Sequence, residues 1–125
     1  MVQYIWARSE GIRLLQLGRE ERRMTDLTEL NKLEKYLREK HIPYERIDQD
    51  EILDQYGLAR QLERHQICVP EADSKLKDWD VICNWGSYGY EEGLLELYGN
   101  LCDGDVIGWL TADDVIARIE KEKII

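Results

Sequence analysis

Leu27, Leu30, Leu33 and Leu37 recur every three or four residues through "TDLTELNKLEKYLREKH", with charged positions between them. That period predicts an amphipathic helix. Asp26 suits its N-cap, Glu29 three residues later suggests a capping box, and Lys40 and His41 suit its C-terminal dipole. "IPYERID" then reads as a strand, with Pro43 at a sheet edge or in the first turn of the strand. "QDEILDQYGLARQLE" allows either a short helix on Ile52, Leu53 and Tyr56, ended by Gly57, or a loop. "RHQICVPEAD" and "DWDVICNW" read as two strands of an antiparallel hairpin, joined by the polar "ADSKLKD". On the second strand Val81, Cys83 and Trp85 fall on one face, and Asp80, Ile82 and Asn84 on the other.

"YEEGLLELYG" predicts a short helix with Leu94, Leu97 and Tyr98 on its apolar side and Gly99 closing it. "DVIGWL" predicts a strand entered from the turn "CDGD". "TADDVIARIEKEKI" predicts a last helix, with Thr111 as N-cap, Asp113 and Asp114 in the first turn, and Val115, Ile116 and Ile119 facing the core. The succession α-β-(α)-β-β-α-β-α from residue 24 implies an α+β domain. Its expected form is a small, mainly antiparallel sheet of about three to five strands, packed by two or three helices on one face.

The first 23 residues admit two readings. "VQYIWA" and "IRLLQLG" around "RSEG" fit a β-hairpin. Alternatively, "REERRM" is what a purine-rich ribosome-binding site becomes when read in frame, which makes 1–23 an upstream extension and Met24 the true start. Either way the 125-residue chain fits one domain, 24–125.

Charge sharpens this division. The chain carries 17 basic and 26 acidic residues, a net charge of −9. Residues 1–23 hold five Arg and three Glu, which leaves 12 basic and 23 acidic residues in 24–125, a net −11. Such a surface repels nucleic acid and acidic lipid and favours basic partners. Cys68, Cys83 and Cys102 are odd in number and form no C-x-x-C, which argues against a disulfide framework and a thiolate zinc site. No apolar run has the length of a signal peptide or a membrane span, so the cytoplasm is the expected location.

"CNWGSYGYEEG" concentrates the candidate chemistry. Gly86, Gly89 and Gly93 follow a strand and precede a helix-like run, where backbone N–H groups can bind an anion. The spacing matches neither a Walker loop nor a dinucleotide fingerprint, and Glu91 and Glu92 sit where a phosphate would. A strand-to-helix turn is the simpler reading, and a small-ligand or nucleotide site at Gly86–Gly89 is the alternative. Trp79 and Trp109 fit sheet packing, whereas Tyr88 and Tyr90 at a loop tip suit partner contact, with Trp85 beside them.

A thiol enzyme would rest on Cys83, with His65 as its base, against the simpler reading of a buried structural cysteine. Asp48, Asp50, Glu51 and Asp54, and separately Asp103 and Asp105, lack the EF-hand pattern and read as solvated acidic faces; no metal and no cofactor is expected. Glu91, Glu92, Glu96, Asp103, Asp105, Asp113 and Asp114 would form one negative patch if turns and helix starts gather at one end of the sheet. That patch could imitate the phosphates read by a nucleic-acid-binding protein.

Through "WDVICNWGSYGYEEGLLELYG" and "VIGWLTADDVIARI" the chain resembles small acidic proteins of phages and prophages of Gram-positive bacteria. The resemblance covers about residues 24–125, and "GSYGYEEGLLE" is its specific part. It implies an accessory factor acting on host machinery, such as an inhibitor of a restriction or CRISPR nuclease. It carries over no catalytic residue. The resulting expectation is a non-enzymatic protein that occupies the basic surface of a host nuclease, without itself touching nucleic acid.

Overall fold

The structure is a computed structural model that describes residues 25–73 and 75–122. The hairpin or upstream extension expected over 1–23, and the start at Met24, lie outside these residues.

Helix α1 spans Thr28–Glu39 and buries Leu30, Leu33 and Leu37, the stripe that its sequence period marks. Asp26 Oδ1 accepts the Thr28 N–H at 2.9 Å, which satisfies one open donor at the helix start. Glu29 does not reach back to complete a capping box. Its Oε1 accepts the Ala112 N–H at 2.6 Å and so ties α1 to the start of the second helix.

Strands β1 (Glu45–Gln49), β4 (Arg64–Val69), β5 (Trp79–Ile82), β6 (Leu95–Gly99) and β7 (Ile107–Leu110) form one antiparallel sheet in the order β1-β4-β5-β6-β7. A separate two-stranded hairpin, β2 (Ile52–Leu53) with β3 (Ala59–Gln61), grows from the β1–β4 connection. Helix α2 (Ala112–Glu122) closes the described chain. Thr111 Oγ1 accepts the Asp114 N–H at 3.1 Å, and Asp114 Oδ2 accepts the Thr111 N–H at 2.9 Å, so Thr111 caps α2 as its sequence predicts. The α+β class and the mainly antiparallel sheet are those the sequence implies.

Both helices lie on one face of the sheet. Leu30, Leu33 and Leu37 of α1 and Ala112, Val115 and Ile119 of α2 meet Ile67, Val81, Cys83, Leu95 and Leu97 in one buried cluster. The register sets Gln66, Ile82 and Glu96 side by side on the opposite face, all buried.

One predicted helix is absent, and the stretch open to a short helix or a loop is a hairpin. In "YEEGLLELYG" only Tyr90–Glu92 is helical, as a single 3-10 turn, and Leu95–Gly99 is strand β6. Leu95 and Leu97 alternate with Glu96 and Tyr98, a period of two that the string of leucines disguises as helical. In "QDEILDQYGLARQLE" the side chain of Asp54 accepts the N–H groups of Tyr56 and Leu58, both at 2.9 Å, and folds the tip of a hairpin instead of a helix. The strand expected over 78–85 also stops at Ile82. Val81 and Cys83 do face the helices, but Trp85 lies in the following turn and belongs to no part of that cluster.

Candidate partner-binding end of the sheet

The antiparallel register gathers the connections. Gln49 lies opposite Arg64, Gln66 opposite Ile82, Ile82 opposite Glu96, and Leu95 opposite Leu110. The β2–β3 hairpin, the glycine loop and the start of α2 therefore all emerge at one end of the sheet. The start of α1 joins them, because a Cβ at Gly93 would lie 3.0 Å from the Asp26 carboxyl.

The glycine loop is closed on itself. Ser87 Oγ–H donates to the Asn84 carbonyl at 2.8 Å and accepts the Asn84 N–H at 3.1 Å. The N–H groups of Ser87, Tyr90, Glu92, Gly93 and Leu94 go to carbonyls within the loop. Trp85 N–H donates to Glu63 Oε1 at 2.6 Å, and Tyr88 N–H donates to Glu96 Oε1 at 2.8 Å. Most of the loop's backbone donors are thus already used, two of them by the chain's own Glu side chains. This geometry gives the nucleotide-site reading of Gly86–Gly89 no support.

Tyr88 and Trp109 meet across this end. Their rings stack with centroids 4.9 Å apart and planes 21° apart. Trp109 is 57% exposed although it stands in β7 at the sheet edge. Its φ is 57°, an uncommon backbone state for a bulky residue, next to a register irregularity between Leu95 and Leu97. Such irregularities re-aim side chains, and here the indole lies against Tyr88 rather than in the core. Gly89 backs the pair: a Cβ there would stand 3.0 Å from the Trp109 Cα. Trp79, by contrast, is buried in the core.

The carboxylates divide into three groups. Glu91 and Glu92 in the 3-10 turn and Asp113 and Asp114 at the start of α2 are exposed at the end that carries Tyr88 and Trp109. Lys32 pairs with Asp113 at 3.1 Å. Asp103 and Asp105 lie in the β6–β7 connection, at the far end of a five-residue strand, roughly 17 Å away at about 3.4 Å per residue. Glu96 is fully buried, and so, at 4% exposure, is Trp85. The single patch that the sequence suggests is therefore smaller: Tyr88, half-buried Tyr90, Glu91, Glu92, Asp113 and Asp114, with Trp109 and Asp26 added.

Cys83 and His65 each have other partners, and the Cys83 Sγ–H donates to the Asp26 carbonyl at 3.5 Å. Burial pushes the Cys83 thiol up to about 12, and the nearby Glu63 and Asp26 charges push the same way. The His65 ring faces carboxylates instead: Nδ1 lies 2.8 Å from Asp48 and Nε2 lies 3.3 Å from Glu63. Glu63, through Thr25 Oγ1 at 2.6 Å and the Trp85 N–H, also links the entry of α1 to the glycine loop. Among the described residues no group of three or more His, Cys, Asp or Glu is placed to hold a metal ion. No described helix is long and apolar enough to cross a membrane.

The residues that sequence reasoning missed are on the hairpin. Ile52, Leu53, Tyr56 and Leu58 are 51%, 48%, 77% and 61% exposed. Their signal was an apolar group inside an acidic stretch, and it looked like half a helix. Comparison with protein-family models, with curated proteins and with solved structures returned no match.

Proposed function

We propose that this chain is a non-enzymatic binding protein of phage or prophage type that occupies the basic surface of a host nucleic-acid-binding defence enzyme, a CRISPR or restriction nuclease, in the bacterial cytoplasm. The observation that carries this reading is exposed Trp109 stacked on half-buried Tyr88 at the sheet end where Glu91, Glu92, Asp113 and Asp114 gather. Rigid aromatic rings are the usual anchors of protein interfaces, and surrounding carboxylates favour and steer a basic partner. A guanidinium laid over Trp109 would gain both ring and carboxylate contacts. The net charge of −9 makes direct binding of nucleic acid unfavourable.

The experiment is a cleavage panel. Purified CRISPR and restriction nucleases are titrated with wild-type protein and with Trp109→Ala, and DNA cleavage and DNA binding are followed. The proposal expects one enzyme to lose DNA binding with the wild type and to keep it with Trp109→Ala. A panel in which wild type and variant behave alike would count against the reading.

A further inference from the structure

The β2–β3 hairpin stands apart from the core and presents apolar surface to solvent. Two-stranded hairpins have little stability of their own, so exposed Ile52, Leu53, Tyr56 and Leu58 gain nothing for the fold. The tip is nonetheless rigidly built. Asp54 N–H donates to the Leu58 carbonyl at 2.8 Å, Gly57 N–H donates to the Asp54 carbonyl at 3.0 Å, and Asp54 Oδ1 accepts from Tyr56 and Leu58. Tyr56 and Leu58 are thus held outward on an ordered turn, and little backbone entropy remains to be lost when they are covered. The base of the hairpin is anchored as well, since Glu63 holds the Trp85 N–H. The hairpin leaves the same end of the sheet as the Tyr88–Trp109 pair, but at the opposite edge. Four strand spacings separate β1 from β7, roughly 19 Å at about 4.8 Å each.

We infer that the β2–β3 hairpin is a docking arm whose Tyr56 and Leu58 enter an apolar groove with a basic rim on the same protein that meets Tyr88 and Trp109. The inference rests on the proposed function for the partner's charge. Charge also selects the occupant on this side: Asp50, Glu51 and Asp54 outnumber Arg60 on the hairpin, and a second copy of a chain of net charge −9 would be repelled. The two contacts straddle the glycine loop, which gives a partner two anchors on one rigid end. An interface of ordinary size reaches across such a span.

The test uses the full chain with the photoreactive amino acid p-benzoylphenylalanine at position 56, and at exposed Lys35 as a control, photolysed in a Gram-positive bacterial lysate. The cross-linked protein is identified and purified. Its dissociation constant is then measured with wild type, with Tyr56→Ala/Leu58→Ala and with Trp109→Ala. The expected result is a basic protein cross-linked from position 56 but not from 35, with affinity reduced roughly tenfold or more by the hairpin variant. Because both side chains are exposed, the variant should keep the wild-type circular dichroism and melting curve. Identical adducts from 56 and 35, an adduct to a second copy, or an affinity unchanged by the hairpin variant would each overturn the inference. If the captured partner depends on the hairpin but has no nucleic-acid-binding activity, the docking arm stands and the proposed function falls.

Discussion

Tyr88 N–H donates at 2.8 Å to the fully buried side-chain oxygen of Glu96, so a residue of β6 fills this donor of the glycine loop. A buried polar atom needs such a hydrogen bond, because it has lost its water. Glu96→Ala removes the acceptor and leaves a buried N–H behind. The expected loss is about 1.5–3 kcal/mol in urea unfolding, with a smaller loss for Glu96→Gln, which keeps an acceptor oxygen. Equal stability of wild type and Glu96→Ala would remove this account of the loop.

His65 between Asp48 and Glu63 sets a pH window. The hydrogen bond to Glu63 raises the His65 pKa; burial opposes it, and Asp48 adds to the rise. Burial would raise Asp48 and Glu63, but their hydrogen bonds prevail. His65 and Arg46 hold Asp48 below its usual range, and His65, Thr25 and the Trp85 N–H do the same for Glu63. A raised histidine stabilises the fold fully below its unfolded pKa, near 6.5, and loses that contribution as pH rises through the folded value. Lowered carboxylates stabilise above their unfolded values and lose the contribution as pH falls through the folded ones. Stability is therefore expected to peak between roughly pH 5 and 6.5. In His65→Gln the decline above that window should shrink, which urea unfolding at several pH values would show. A high-pH decline of the same size in His65→Gln would assign it to another group.

All three described cysteines are buried, and Cys83 is the one with a thiol near 12. Iodoacetamide at pH 8 should leave the native chain unmodified at Cys68, Cys83 and Cys102 and label all three in urea, as read by mass spectrometry. Rapid native labelling at Cys83 would favour the thiol-enzyme reading.

Gly89 and Gly57 make a controlled pair. Both have left-handed φ, 90° and 80°. A Cβ at Gly89 would press on Leu94 and on the Trp109 backbone at 3.0 Å, whereas at Gly57 it meets nothing within 4 Å. Gly57→Ala should cost only the backbone term, about 1–2 kcal/mol. Gly89→Ala should cost more and also weaken partner binding, because it displaces Trp109. Thermal melts together with the affinity measurement separate the two effects.

What the sequence made legible follows from which forces are local. The stripe of Leu30, Leu33 and Leu37 and the Thr111 cap are set within a few residues and appear as expected, whereas Leu27 takes the N-cap expected for Asp26. The β4–β5 hairpin was marked by two apolar runs and a polar join. Strand β6 was hidden because Leu94, Leu97 and Tyr98 satisfy a helical period as well as Leu95 and Leu97 satisfy an extended one. Hairpin β2–β3 has strands of two and three residues, too short for any period to show. The candidate site was half legible for the same reason. Tyr88 and the exposed acids stand in a local turn and a helix start, but the partnership with Trp109 and the burial of Glu96 are products of strand pairing across the sheet.

The central claim is that an acidic, aromatic end of the sheet meets a basic partner. Its most direct measurement is the association rate with the enzyme inhibited in the cleavage panel, taken from low salt to about 0.15 M, where the screening length falls to about 8 Å. The account predicts that the wild-type rate falls steeply with salt, and that Glu91→Gln/Glu92→Gln/Asp113→Asn starts slower and falls less. A wild-type association rate that does not change with salt would contradict it.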